Sequence, residues 1–120
     1  MNKEFEEYCL EQIKKYIPIL MLQRHTFELK YGVEHEGSLM ECVNNYPYLN
    51  AKFSYSNKAV ERWKEKRENV IPYIIHEMCH LITDALYNKA TARYVTLDEI
   101  RYERELLTDY ICNIVVNNKL

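Results

Sequence analysis

Between Val70 and Leu86 the chain reads VIPYIIHEMCHLITDAL, an almost continuously apolar stretch interrupted by His76, Glu77 and His80. Ile71, Ile74, Ile75, Leu81, Ile82 and Leu86 cover most of the circumference of a helix, so that helix is expected to be central and buried. Asn69 is placed to cap it, and Pro72 falls in its first turn, where a missing N–H has no intrahelical partner to lose. Two imidazoles and a carboxylate are costly to bury unless something pairs with them. The fold must therefore bring polar partners to the middle of its most apolar helix.

The rest of the chain supplies a frame for that helix. Phe5, Tyr8, Cys9, Gln12, Ile13, Tyr16, Ile17 and Leu20 recur at spacings of three and four, opposite Glu4, Glu6, Glu7, Glu11 and Lys14, which predicts an amphipathic helix ended or kinked near Pro18. From His25 to Ser56 the period shortens to two. Phe27, Leu29 and Tyr31 mark one strand, Gly32 and Gly37 a turn, Leu39 to Val43 a second strand, and Ala51, Phe53 and Tyr55 a third, after a loop containing Pro47. Lys58 to Arg67 reads as a charged helix carrying Trp63. Thr96 and Glu99 form a capping box for a last helix from Leu97 to about Asn117, with Ile100, Leu107, Ile111, Ile114 and Val115 as its inward stripe. The expectation is one α+β domain over residues 1–120: an N-terminal helix, a small, mostly antiparallel three-stranded sheet, the histidine helix and a C-terminal helix.

Charge and cysteine usage narrow the function classes. A formal net charge of −2 gives no strong positive field for nucleic acid or an anionic membrane surface. The opening MNKEFEEYCLEQ is acidic where a signal peptide needs a basic and then apolar run, and no stretch is apolar for long enough to span a bilayer, so a cytoplasmic location is expected. Cys9, Cys42, Cys79 and Cys112 form no CxxC pair, which points to small buried side chains rather than a disulfide or zinc-ribbon framework. His25, His35 and the arginines Arg93, Arg101 and Arg104 read as ordinary polar or solvated positions.

On a helix, His76 and His80 face the same way one turn apart, and Glu77 lies about 100° round, close enough to reach a water near their shared focus without being forced to ligate. Zn²⁺ suits imidazole nitrogen, and a catalytic site keeps three protein ligands plus an open position, so two histidines are one ligand short. Glu105 and Asp109, four apart on the next helix, form a second acidic set.

HEMCH followed by ELLTD, an HExxH and then an ExxxD roughly 25 residues on, resembles the gluzincin metallopeptidases. The order of elements resembles the smallest of these, the minigluzincins, and the cores of ImmA/IrrE-type and SprT-like proteins; similar short proteins are common in phage genomes. The resemblance implies a zincin-like fold and a zinc-dependent metallopeptidase acting on a peptide or protein substrate. It implies His76, His80 and Glu105 as metal ligands, Glu77 as general base, and Asp109 as acceptor of a liganding histidine's other ring N–H. Glu99 and Glu103 are rival third ligands; Glu103 points about 160° away from Glu105, and only Glu105 has an aspartate four residues on. Tyr94, Tyr102 and His25 are candidates to stabilise the oxyanion, and the strand AKFSYS is expected at the sheet edge that pairs with substrate. The competing reading is a non-catalytic, metal-binding regulatory or interaction protein on the same scaffold.

Overall fold

The structure is a computed structural model that describes residues 2–44, 49–91 and 97–117, with the side chains at 44, 85–91, 97, 99 and 100 outside the description. The elements run α1 (Lys3–Ile19), β1 (Thr26–Tyr31), β2 (Met40–Asn44), β3 (Asn50–Tyr55), α2 (Asn57–Glu65), a 3-10 turn (Arg67–Val70), α3 (Ile71–Thr91) and α4 (Leu97–Asn117). Among the described residues this is a small α+β fold of four helices and one three-stranded sheet. None of these helices is long and apolar enough to cross a membrane.

α1 buries Phe5, Cys9, Ile13 and Tyr16, the positions its periodicity selects, and carries Glu4 and Glu6 in its first turn, where the helix dipole favours negative charge. Pro18 is tolerated inside the last turn. The helix then stops on Met21, a non-glycine residue in the left-handed region at φ 57°. Met21 N–H bonds to the Pro18 carbonyl and Leu22 N–H to that of Ile17, which satisfies the terminal carbonyls and drops Leu22 into the core.

The sheet corrects the mostly antiparallel expectation. Its order is β1-β3-β2, with β1 parallel to β3 and β2 antiparallel to it, so the two pairings are one of each kind. Gly32 and Gly37 do not close a hairpin between neighbours; residues 32–39 carry the chain across the end of β3, where Gly32 N–H bonds to the Tyr55 carbonyl and Ser56 N–H to that of Leu39. Burial explains the order: Ala51, Phe53 and Tyr55 of β3 are almost wholly covered, while Phe27 and Leu29 of β1 are only partly so. The strand with the best-buried inner face takes the centre. AKFSYS is therefore interior, and the free edges belong to β1 and β2.

α3 packs against α4, β2 and α1. Ile74, Ile75, Met78 and Cys79 are fully buried, whereas Ile82 is exposed. Asn69 does not cap α3; its side-chain amide donates to the Arg62 carbonyl from within the 3-10 turn. At the far side of the core, Phe5 packs against Tyr55 and Trp63 with ring centroids at 4.7 and 5.6 Å, and the Tyr55 hydroxyl donates to the Glu6 carboxylate.

α4 corrects a second expectation. Its buried line is Thr108, Cys112 and Val115, while Leu107 and Ile114 are 41% and 55% exposed. Ile111 and Val115 of the expected stripe do pack on the core, but Leu107 and Ile114 turn outward and Thr108 takes a buried place facing α3. The predicted capping box at Thr96 and Glu99, and the packing of Leu86 and Ile100, lie outside the described residues and side chains.

Candidate metal centre

α3 and α4 pack side by side, and the HEMCH turn of one meets the ELLTD turn of the other. Residues 76, 77 and 80 come from adjacent turns of α3; 105, 108 and 109 come from one face of α4, at the i, i+3 and i+4 positions of a helix. Glu105 reaches between the two histidines: its Oε1 is 3.4 Å from His80 Nε2 and its Oε2 is 3.7 Å from His76 Nε2. One ligand atom from each of His76, His80 and Glu105 lies within 4.8 Å of the others, so the three form a triad able to hold a metal ion.

The spacing and the donor chemistry fit a small divalent cation. Tetrahedral bonds of about 2.0–2.1 Å put neighbouring donor atoms about 3.3 Å apart. The 3.4 and 3.7 Å contacts here run to different Glu105 oxygens, and one atom from each residue lies within 4.8 Å of the others, so the side chains would draw in on binding. Two imidazoles and a carboxylate are a borderline-soft set. The histidine tautomers also fit. His76 Nδ1 stands 3.0 Å from the Asp109 carboxylate, which can only accept, so the proton sits on Nδ1 and the Nε2 lone pair faces Glu105. His80 Nδ1 faces two oxygens, the Thr108 hydroxyl at 3.4 Å and Asp84 Oδ1 at 3.9 Å. The Thr108 hydroxyl donates to the Arg104 carbonyl at 2.8 Å and shares a 2.9 Å hydrogen bond with Thr83.

Glu77 lies beside this focus, with Oε2 4.0 Å from His76 Nε2 and its side chain 16% exposed. Its other oxygen accepts the Cys42 backbone N–H at 3.1 Å, a donor supplied by the outer edge of β2. Burial pushes the Glu77 carboxyl up to about 8, with Glu105, Glu41 and Asp84 adding repulsion and the Cys42 N–H opposing them. Burial also lowers His80 to about 4, helped by His76 and Arg104, so its imidazole is neutral and ready to ligate at neutral pH. The Cys79 thiol inside the motif is fully buried, and burial pushes it up to about 12, which makes it a packing residue rather than a reactive one.

A cleft of about 170 Å³ opens onto His80, Glu77 and Glu105, walled by Glu34, His35, Glu41, Cys42, Val43, Asp84 and Arg104. Several of these went unpredicted. Glu41 accepts the backbone N–H groups of Glu34 and His35 at 2.8 and 3.0 Å and pairs with His35 Nδ1 at 2.9 Å, folding the 32–39 connection over the cleft. Arg104, expected on a solvated face, lies 3.6 Å from Asp84 and 3.7 Å from Glu105. The i, i+4 relation of His80 to Asp84 and the 105, 108, 109 face were legible in the spacing. The Cys42 N–H is backbone and leaves no side-chain signal.

Of the other expected residues, those that are described lie away from the triad. Glu103 is exposed and takes no part in the triad. Glu99 and Tyr94 fall outside the described side chains and residues. Tyr102 is 65% exposed, and His25 packs on Phe27 at 6.2 Å; neither lines the cleft. Comparison with protein-family models, curated proteins and solved structures gives no match, so the site is read from its own geometry.

Proposed function

We propose that the chain is a zinc-dependent metallopeptidase of gluzincin type, hydrolysing peptide bonds in a peptide or protein substrate. The observation that carries this reading is the convergence of His76, His80 and Glu105 on one point, with the buried Glu77 carboxylate beside it at the mouth of an open cleft. When bound, zinc supplies Lewis acidity that polarises a carbonyl and acidifies a water. Glu77 is the base that accepts the proton of the attacking water and returns it to the leaving amine. Asp109 and Thr108 hold the two imidazoles with their Nε2 atoms turned to the metal position. His35 and Arg104 line the cleft and take the place of Tyr102 and His25 as candidates to steady a developing negative charge, beside Tyr94, which lies outside the described residues.

The substrate strand moves from β3 to β2. The Cys42 N–H points away from β3 and is taken by Glu77, so an extended peptide would lie along the cleft-side edge of β2 on the outward backbone groups that remain, at Met40, Asn44 and the Cys42 carbonyl.

The test compares zinc-loaded wild type with Glu77→Gln on a mixed peptide library read by mass spectrometry. The variant keeps about one zinc per chain while hydrolysis falls by at least about 10²-fold, the scale of a lost general base. Equal cleavage by the variant removes Glu77 from the chemistry. A zinc-loaded wild type that cleaves nothing leaves the metal-binding interaction protein as the better reading.

A further inference from the structure

The outer edge of β1 lies on the opposite side of the sheet from the metal cleft, and among the described residues no strand covers it. Thr26 N–H bonds to the Leu49 carbonyl at 2.8 Å and Gly32 N–H to the Tyr55 carbonyl at 2.9 Å, so the even-numbered residues of β1 direct their backbone groups toward β3. By strand alternation, Phe27, Leu29 and Tyr31 present theirs outward. Those same residues carry apolar side chains at the rim of the core: Phe27 and Leu29 are partly buried, and Tyr31 is 60% exposed while stacked edge-on against Tyr55 at 5.5 Å. Glu28 and Lys30 alternate with them and are exposed. The strand has no proline and no bulge to discourage pairing.

We infer that two copies of this chain pair antiparallel along β1, joining their sheets into one of six strands. The register follows from two constraints. Outward backbone groups must meet outward backbone groups, so a two-fold pairing near the middle of the strand centres on residue 28, 29 or 30. Centring on 28 sets Glu28 against Glu28 of the second copy, and centring on 30 sets Lys30 against Lys30. Centring on Leu29 sets each Glu28 against the second copy's Lys30, in non-hydrogen-bonded pairs where cross-strand side chains stand closest. In that register Phe27 faces Tyr31 and Leu29 faces Leu29, extending the apolar inner face across the junction. Both metal clefts stay open at the β2 edges, so the inference is independent of the proposed chemistry.

Sedimentation velocity on the full chain over a wide concentration range tests this. Wild type moves from 14.5 kDa toward twice that mass as concentration rises. Glu28→Lys and Lys30→Glu each make both cross-strand pairs like-charged and hold the protein at single-chain mass. An equal mixture of these two variants, and the double exchange E28K with K30E, both restore the doubled mass because opposite charges face each other again. Wild type at single-chain mass throughout overturns the inference, as do single variants that dimerise like wild type or a mixture that stays monomeric. Both substitutions are at exposed positions, and the mixture reports on pairing even if one variant is the less stable.

Discussion

His76 and His80 serve a metal only in one tautomer each, and two neighbours on α4 stand at the other ring nitrogens. Asp109 takes the His76 Nδ1 proton, Thr108 stands beside His80 Nδ1, and both Nε2 atoms lie on the Glu105 side. Removing such an acceptor commonly weakens metal affinity by about 10–100-fold. Asp109→Ala is expected to show a loss of that size in a chelator competition titration, and unchanged affinity would mean that His76 is oriented by something else. The same residues give the metal-free protein a distinctive pH response. His80 binds its proton near 6.5 when unfolded and near 4 when folded, so its contribution to stability is lost as pH falls through that window. Glu77 moves from 4.5 to about 8, so its contribution is present at low pH and is lost as pH rises toward 8. Above 6.5 only Glu77 still titrates of the two. Thermal melts in chelator should therefore show stability declining from pH 6.5 to 8 in wild type and a flatter profile in Glu77→Gln; equal slopes would contradict a buried, protonated Glu77.

The elements differ in how far local pattern determined them. α1, α3 and α4 were legible because a run of three-and-four spacings is a property of neighbouring residues, and α4 spans the predicted Leu97–Asn117. Strand positions were legible for the same reason, since alternation is local. The order β1-β3-β2 was not, because it depends on which inner face is best buried by α1 and α3, a non-local matter. The rotation of α4 was missed because apolar count favoured Leu107 and Ile114, whereas burying Thr108 lets it bond to Thr83 and His80. The end of α1 offers a separate test. A left-handed non-glycine residue costs about 1–2 kcal/mol and glycine's added unfolded-state freedom about 0.5–1 kcal/mol, so Met21→Gly should raise stability by about 0.5–1 kcal/mol in urea titration. A lower midpoint would contradict the backbone account of that turn.

At the scale of the whole molecule, the hydrophobic core and the polar site are two ends of one packing arrangement. Phe5, Tyr55 and Trp63 lock α1 and α2 to the sheet, which sets β2 against α3 and delivers the Cys42 N–H to Glu77. α4 then packs along α3 with Thr108, Cys112 and Val115 buried and Glu105 and Asp109 at the rim, reaching His76 and His80. His76 and His80 were legible from HEMCH because helix geometry fixes which residues share a face, whereas Glu105 entered through the resemblance of ELLTD to a family motif; the cleft wall at Glu41, His35 and Arg104 needed the fold. The most direct test of the account is zinc K-edge X-ray absorption on stoichiometrically loaded wild type and Glu105→Ala. The account predicts two imidazole nitrogens and a carboxylate oxygen at about 2.0–2.1 Å, with the oxygen contribution reduced and affinity lowered in the variant. A wild-type spectrum without histidine scattering, or one unaltered by Glu105→Ala, would contradict it.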